Sequence, residues 1–147
     1  MIFAKTALYS GVGAAVASLA VIQFLAKLEG KAAVEPINAT SHVIYGASHK
    51  PEPSLSFHET LPGGLINVGS AFFWGGVFAR IAPSRNSLRA IVARSSLTVA
   101  FAAVLDYGIV PRRLSPGWEH SLTPRSVAFS LATMGVGLAL GALAAQT

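Results

Sequence analysis

Four apolar stretches constrain this chain more than any other feature of its sequence. They cover roughly residues 3–28, 61–81, 88–109 and 124–145. At a helical rise of about 1.5 Å per residue, each is long enough to cross a hydrocarbon core of about 30 Å. A backbone immersed in lipid must satisfy its own hydrogen bonds, which leaves only helices and closed barrels. Barrel strands are about 10 residues long and alternate apolar with polar side chains, and these stretches do neither. The expected fold class is therefore all-α: a transmembrane bundle of about four helices forming one domain over residues 1–147. The long loop between the first and second spans is expected to hold a short interfacial or re-entrant helix.

Composition agrees. Charged residues make up 12% of the chain and hydrophobic residues 52%, with a mean hydropathy of +0.57. Soluble domains carry about 25% charged residues, and a small soluble body needs still more polar surface. The formal net charge is +5, yet the longest run of basic residues is Arg112-Arg113. The cations flank apolar stretches as membrane anchors do, and no basic stripe suggests nucleic acid. Without cysteine the chain has no disulfide, thiolate metal ligand or cysteine nucleophile.

The first stretch invites comparison with a signal peptide. Its apolar run from Thr6 to Ala26 exceeds the 7–15 residues of a secretory core. The following Lys27-Leu28-Glu29-Gly30-Lys31 makes a poor cleavage site, so an uncleaved span is expected. Asn38-Ala39-Thr40 matches a glycosylation sequon, a short pattern that recurs by chance.

Punctuation residues place the helix ends. Thr60, Ser87 and Thr123 read as N-caps, with Pro62 and Pro124 in first turns. Pro83-Ser84 reads as a turn and Pro111 as a stop. Within the long loop, Pro36 to Tyr45 reads as a short helix ended by Gly46. Small residues mark packing faces: Gly11 and Gly13 in the first span, Gly69, Gly75 and Gly76 in the second, and the Gly137-x-x-x-Gly141 motif in the fourth. Gly11-Val12-Gly13 also begins like a dinucleotide fingerprint, but Val16 replaces its third glycine and no strand precedes it. Short connections make spans two and three, and three and four, antiparallel neighbours. Lys5, Arg80, Arg85 and Arg89 fall on the side of the termini, and Lys27, Lys31, Lys50, Arg112, Arg113 and Arg125 on the other. Four cations against six tilt the positive-inside rule towards termini on the outer side.

Arg94 and Asp106 are ionisable groups at membrane depth, where charge is costly and often functional. Ser95, Thr98, Ala102 and Asp106 share a face of the third span. Asn67 and Ser70 of the second span and Gln23 of the first are placed to meet it, forming a polar path or small pocket. A purely structural reading competes: Arg94 snorkels to its interface and Asp106 pairs with Arg112 or Arg113. Trp118 and Tyr107 read as headgroup-level aromatics, and Trp74 as bundle packing.

His42, His49 and His58 share one loop and His120 lies in another. None is mid-span, as bundle haem ligation requires, and His58-Glu59-Thr60 fails the HExxH pattern because residue 62 is Pro. No cofactor or metal is predicted. No spacing pairs a nucleophile with a base.

Three phrases carry a resemblance: Pro36-Ile37-Asn38-Ala39-Thr40-Ser41-His42, Ser70-Ala71-Phe72-Phe73-Trp74, and Leu105-Asp106-Tyr107-Gly108-Ile109-Val110-Pro111 with Arg112-Arg113-Leu114. They resemble small multi-pass inner-membrane proteins of proteobacteria, over about residues 5 to 140. The resemblance implies a bacterial inner membrane and brings no activity. It singles out Asn38, His42, Trp74, Asp106 and Tyr107 as motif residues.

Three functional readings follow, in descending order. The first is a non-enzymatic structural or accessory component that self-associates or joins a membrane complex through its glycine faces. The second is a small transport or permeation unit with a polar path around Asp106, lined by Arg94, Thr98, Asn67 and Ser70. The third is a membrane enzyme or cofactor carrier using loop residues such as His42 and His58.

Overall fold

A computed structural model describes residues 2–81 and 87–147. The turn assigned to Pro83 and Ser84, and the cation Arg85, lie outside the described residues. The described chain is helical, in the order α1 (Ile2–Leu28), α2 (Glu35–Ala39), α3 (His42–Tyr45), α4 (Thr60–Ile81), α5 (Leu88–Val104) and α6 (Pro124–Ala144). A π turn over Leu105–Ile109 extends α5, and 3-10 turns lie at Arg112–Leu114 and Trp118–His120. Four helical segments are long and apolar enough to span a bilayer: Ile2–Leu28, Thr60–Ile81, Leu88–Ile109 and Pro124–Ala144.

Two of the expected caps form. Ser87 accepts a hydrogen bond from the Ala90 amide at 3.3 Å, and Thr123 accepts one from the Ser126 amide at 3.4 Å. Thr60 departs from expectation, because it lies inside α4 and its hydroxyl serves the loop instead. It donates to Asn38 Oδ1 at 2.7 Å and accepts from the Ser56 amide at 2.9 Å. The single short helix expected over Pro36–Tyr45 is two helices, α2 and α3, joined at Thr40-Ser41. Gly46 ends α3 at φ +105°, a left-handed conformation that favours glycine.

Helix α1 is the centre of the bundle, packed antiparallel along both α6 and α4, while α5 leans chiefly on α6. In lipid no hydrophobic drive holds helices together, so close packing must do it. Backbones approach closely where glycines meet. A Cβ on Gly75 would stand 2.6 Å from the Gly11 amide nitrogen, and one on Gly141 2.5 Å from Ser10 Cα. The Gly137-x-x-x-Gly141 motif therefore works inside the chain, against α1. Ser10 adds a hydrogen bond across this interface to the Leu138 carbonyl at 3.0 Å. Ile22, Phe78, Ile91 and Leu138 are fully buried among these helices. Helices α4 and α5 meet more lightly, at the edge-to-face pair Trp74 and Phe101, with centroids 6.1 Å apart.

Residues 29–59 and 110–123 lie together at the end of the bundle opposite the termini. They form a cap fixed to the helices by polar contacts. Gly63 of α4 receives α2 so closely that a Cβ there would collide with the Ile37 carbonyl. Pro36, Asn38, Ala39, Thr40, Ser41 and His42 are all buried.

Candidate binding pocket

Beneath the cap lies a cavity of about 160 Å³. That compares with the roughly 150 Å³ that admits one benzene ring in an engineered apolar cavity, but this one has polar walls. Ser18, Ala71, Trp74, Leu131 and Met134 are buried and form its deep end. Ser70 and Leu114 are exposed, and Val43, Ile66 and Asp106 half-buried, so they edge its mouth. The mouth thus opens sideways, between α4 and the π turn that ends α5.

The π turn places Asp106. The Val110 amide donates to the Leu105 carbonyl at 2.9 Å, five residues back. Such wide turns re-aim the residues they contain and recur at functional sites. No hydrogen-bond donor among the described residues reaches the Asp106 carboxylate. The expected pairing with Arg112 or Arg113 is not made. Arg113 turns its guanidinium to the Val43 and Ile44 carbonyls, at 3.3 Å each.

The wall opposite is a closed hydrogen-bond network centred on Asn67. Its Nδ2 donates to Thr40 Oγ1 and to the Gly63 carbonyl, both at 2.8 Å. Its Oδ1 accepts from the Trp118 indole at 3.0 Å. Thr40 passes its own proton to the Pro116 carbonyl at 2.7 Å. Asn67 is thereby fully satisfied and knits α4, the α2–α3 link and the second loop into one wall. Trp74 and Ser70 are different. Trp74 is 2% exposed, yet its indole N–H has no acceptor among the described residues, and the Ser70 hydroxyl has no partner among them either. The cavity thus presents an unused donor, an unused hydroxyl and an unused carboxylate.

Four of the eight residues expected to form a polar site line this cavity: Asp106, Asn67, Ser70 and Trp74. The other four do not. Thr98 is buried on α5 and donates to the Arg94 carbonyl at 2.8 Å, and neither residue lines the cavity. Asn38 holds the loop, donating to the Glu52 and Ser54 carbonyls at 2.8 and 2.9 Å. His42 is fully buried behind the wall, its ring nitrogens 2.9 Å from the Ala39 carbonyl and 3.0 Å from the Arg112 carbonyl. Its ring packs 4.9 Å from that of His120. Gln23 bonds within α1, to the Leu19 carbonyl at 2.9 Å.

Sequence reasoning missed three wall residues: Ser18, Thr40 and Trp118. Trp118 is 5% exposed and hydrogen-bonded in the wall. A buried indole needs an acceptor, and Asn67 of the second span supplies it.

No group of three or more His, Asp or Glu side chains converges to hold a metal among the described residues. The cavity occupies the cap half of the bundle, and in the other half α1 packs tightly against α4 and α6 through Gly11, Gly13, Gly75, Gly137 and Gly141. No protein-family model, curated protein or solved structure matches this chain.

Proposed function

We propose that this is a non-enzymatic protein of a bacterial inner membrane that binds a small polar molecule in the pocket at Asp106. One observation carries the reading: a carboxylate on a π turn, without a partner among the described residues, lines a cavity where the Trp74 indole and the Ser70 hydroxyl also have none among them. A charge at this depth is expensive, and a ligand that supplies hydrogen bonds offsets the cost. The tight packing of α1 against α4 and α6 beyond the cavity argues for binding over permeation, which needs a continuous polar route. The glycine faces that suggested assembly are largely used within the chain.

Ligand-dependent thermal stability in detergent tests this reading. A ligand at 100 times its Kd stabilises the folded state by about 2.7 kcal/mol. A screen of small polar solutes is expected to find stabilisers whose effect vanishes in Asp106→Asn. If stabilisers act equally on Asp106→Asn, the pocket is not where they bind. In liposomes with a trapped pH dye, the protein is expected to add no proton leak.

A second reading has its own support. An apolar groove of about 580 Å³ runs between α5 and α6, lined by Ala100, Ala103, Ala128, Ala132, Gly135 and Ala139 among others. Such a face suits a neighbouring helix in a homo-oligomer or larger membrane complex. Cross-linking of a cysteine placed at Ala132 tests it, with a covalent dimer expected.

A further inference from the structure

The charge and hydrogen-bond character of the pocket narrow its ligand to one chemical class. Asp106 offers a carboxylate with no donor bound to it among the described residues, so the field it sets at the cavity mouth is negative. That field disfavours anions. Both tryptophans of the chain, Trp74 and Trp118, line the same cavity. Aromatic walls beside a carboxylate suit a cation, above all an ammonium. The Trp74 N–H, which has no acceptor among the described residues, can donate to one, and an ammonium is not an acceptor. A ligand that satisfies both therefore carries a positive nitrogen and a nearby oxygen. The volume of about 160 Å³ limits it to a few heavy atoms beyond bound water. The mouth edged by Ile66, Ser70 and Leu114 faces sideways between helices that span lipid, so a headgroup can enter without leaving the membrane.

Resting on the pocket reading above, we propose that the ligand is a primary amine beside a hydroxyl or ester oxygen: an aminoalcohol, free or as the headgroup of an aminophospholipid. Its ammonium donates to Asp106, its oxygen accepts from Trp74, and Ser70 at the mouth serves either end. No bond is made or broken.

The chain carries its own reporters, because its tryptophan emission arises only from residues in the pocket wall. Full-length protein in mild detergent is titrated with ethanolamine, short-chain phosphatidylethanolamine, short-chain phosphatidylglycerol and urea. The expected result is a saturable emission change with one or both amines, weakened at least tenfold in Asp106→Asn and largely kept in Asp106→Glu. Trp74→Phe leaves Trp118 as reporter and is expected to weaken amine binding several-fold. A response to phosphatidylethanolamine without one to ethanolamine identifies the lipid as source; the converse identifies the free amine. An Asp106-dependent response to urea or phosphatidylglycerol, with none to either amine, overturns the amine assignment and leaves the pocket standing. No response to any solute, with an unchanged thermal transition, overturns both. Equal responses in wild type and Asp106→Asn likewise overturn the amine assignment.

Discussion

Gly13 of α1 and Gly137 of α6 face each other so closely that a Cβ built on either would collide with the other's carbonyl oxygen. The contact is reciprocal and backbone to backbone, so no side chain can swing away to relieve it. It locks the half of the bundle beyond the cavity.

Gly137→Leu is therefore expected to separate α1 from α6. Overpacking a tight core costs about 1–3 kcal/mol, and here the strain falls on backbone. The thermal transition in detergent should drop by several degrees, and the loosened helices should admit more acrylamide quenching of Trp74. Gly76→Ala is the control: a Cβ there meets nothing within 4 Å. It should leave the transition unchanged or raise it slightly, since Ala is the better helix former by about 1 kcal/mol.

Much of the fold was legible because its signals are redundant. Four spans follow from length and hydropathy, and capping residues such as Ser87 and Thr123 fix two starts within a residue. The pocket was half legible. Asp106 stands out as a carboxylate in an apolar run, Asn67 and Ser70 were placed to meet its face, and Trp74 was singled out by the resemblance alone. Thr40 and Trp118 did not, since their roles depend on loops folding back onto α4, and no local pattern encodes such returns. Arg94 and Thr98 misled because helical spacing assumes a regular helix. The π turn at Leu105–Ile109 changes the register between Thr98 and Asp106, and one face becomes two.

Asn67 is the joint of the pocket wall, and its removal tests that role. Asn67→Leu leaves the Trp118 N–H without its acceptor and Thr40 without one donor, both buried. An orphaned buried polar group costs about 1–3 kcal/mol. The expected outcome is a lowered thermal transition with a red-shifted tryptophan emission, as water reaches Trp118. Asn67→Asp keeps an acceptor for the indole but loses the donors to Thr40 and Gly63. Its emission should stay closer to wild type.

Gly117 tests the packing of the two loops that form the cap. Its φ of +83° is a left-handed conformation, and a Cβ there would stand 2.6 Å from His42 Nδ1 and 2.8 Å from the Ala39 carbonyl. Gly117→Ala combines backbone strain with a clash against a fully buried ring. A loss of about 2–4 kcal/mol is expected, summed from strain of 1–3 kcal/mol and added overpacking. Amide exchange should rise first in α2, α3 and the Trp118–His120 turn, and least in α1. Protection lost uniformly across the bundle would contradict the placement of this contact in the cap.

Glu29 sets a pH dependence whose sign follows from its partners. Its carboxylate accepts from Ser126 Oγ at 2.5 Å, and from the Thr123 hydroxyl and amide at 2.8 and 3.1 Å. The Ser126 bond, then those of Thr123, with nearby Lys31 adding attraction, hold its pKa below the ordinary value of 4.5 despite partial burial. The folded state thus binds this proton less readily than the unfolded chain does. The stabilisation is fully present above about pH 4.5 and declines as pH falls through the lower folded value. The group keeps contact with solvent, so the effect is small, under about 1 kcal/mol after screening. Glu29→Gln should lower the thermal transition at pH 7 by a degree or two, and the difference from wild type should shrink as the pH falls below about 4.5. A difference that instead grew on acidification would mean that the folded protein prefers the neutral carboxyl, and that the join between α1 and α6 does not depend on its charge.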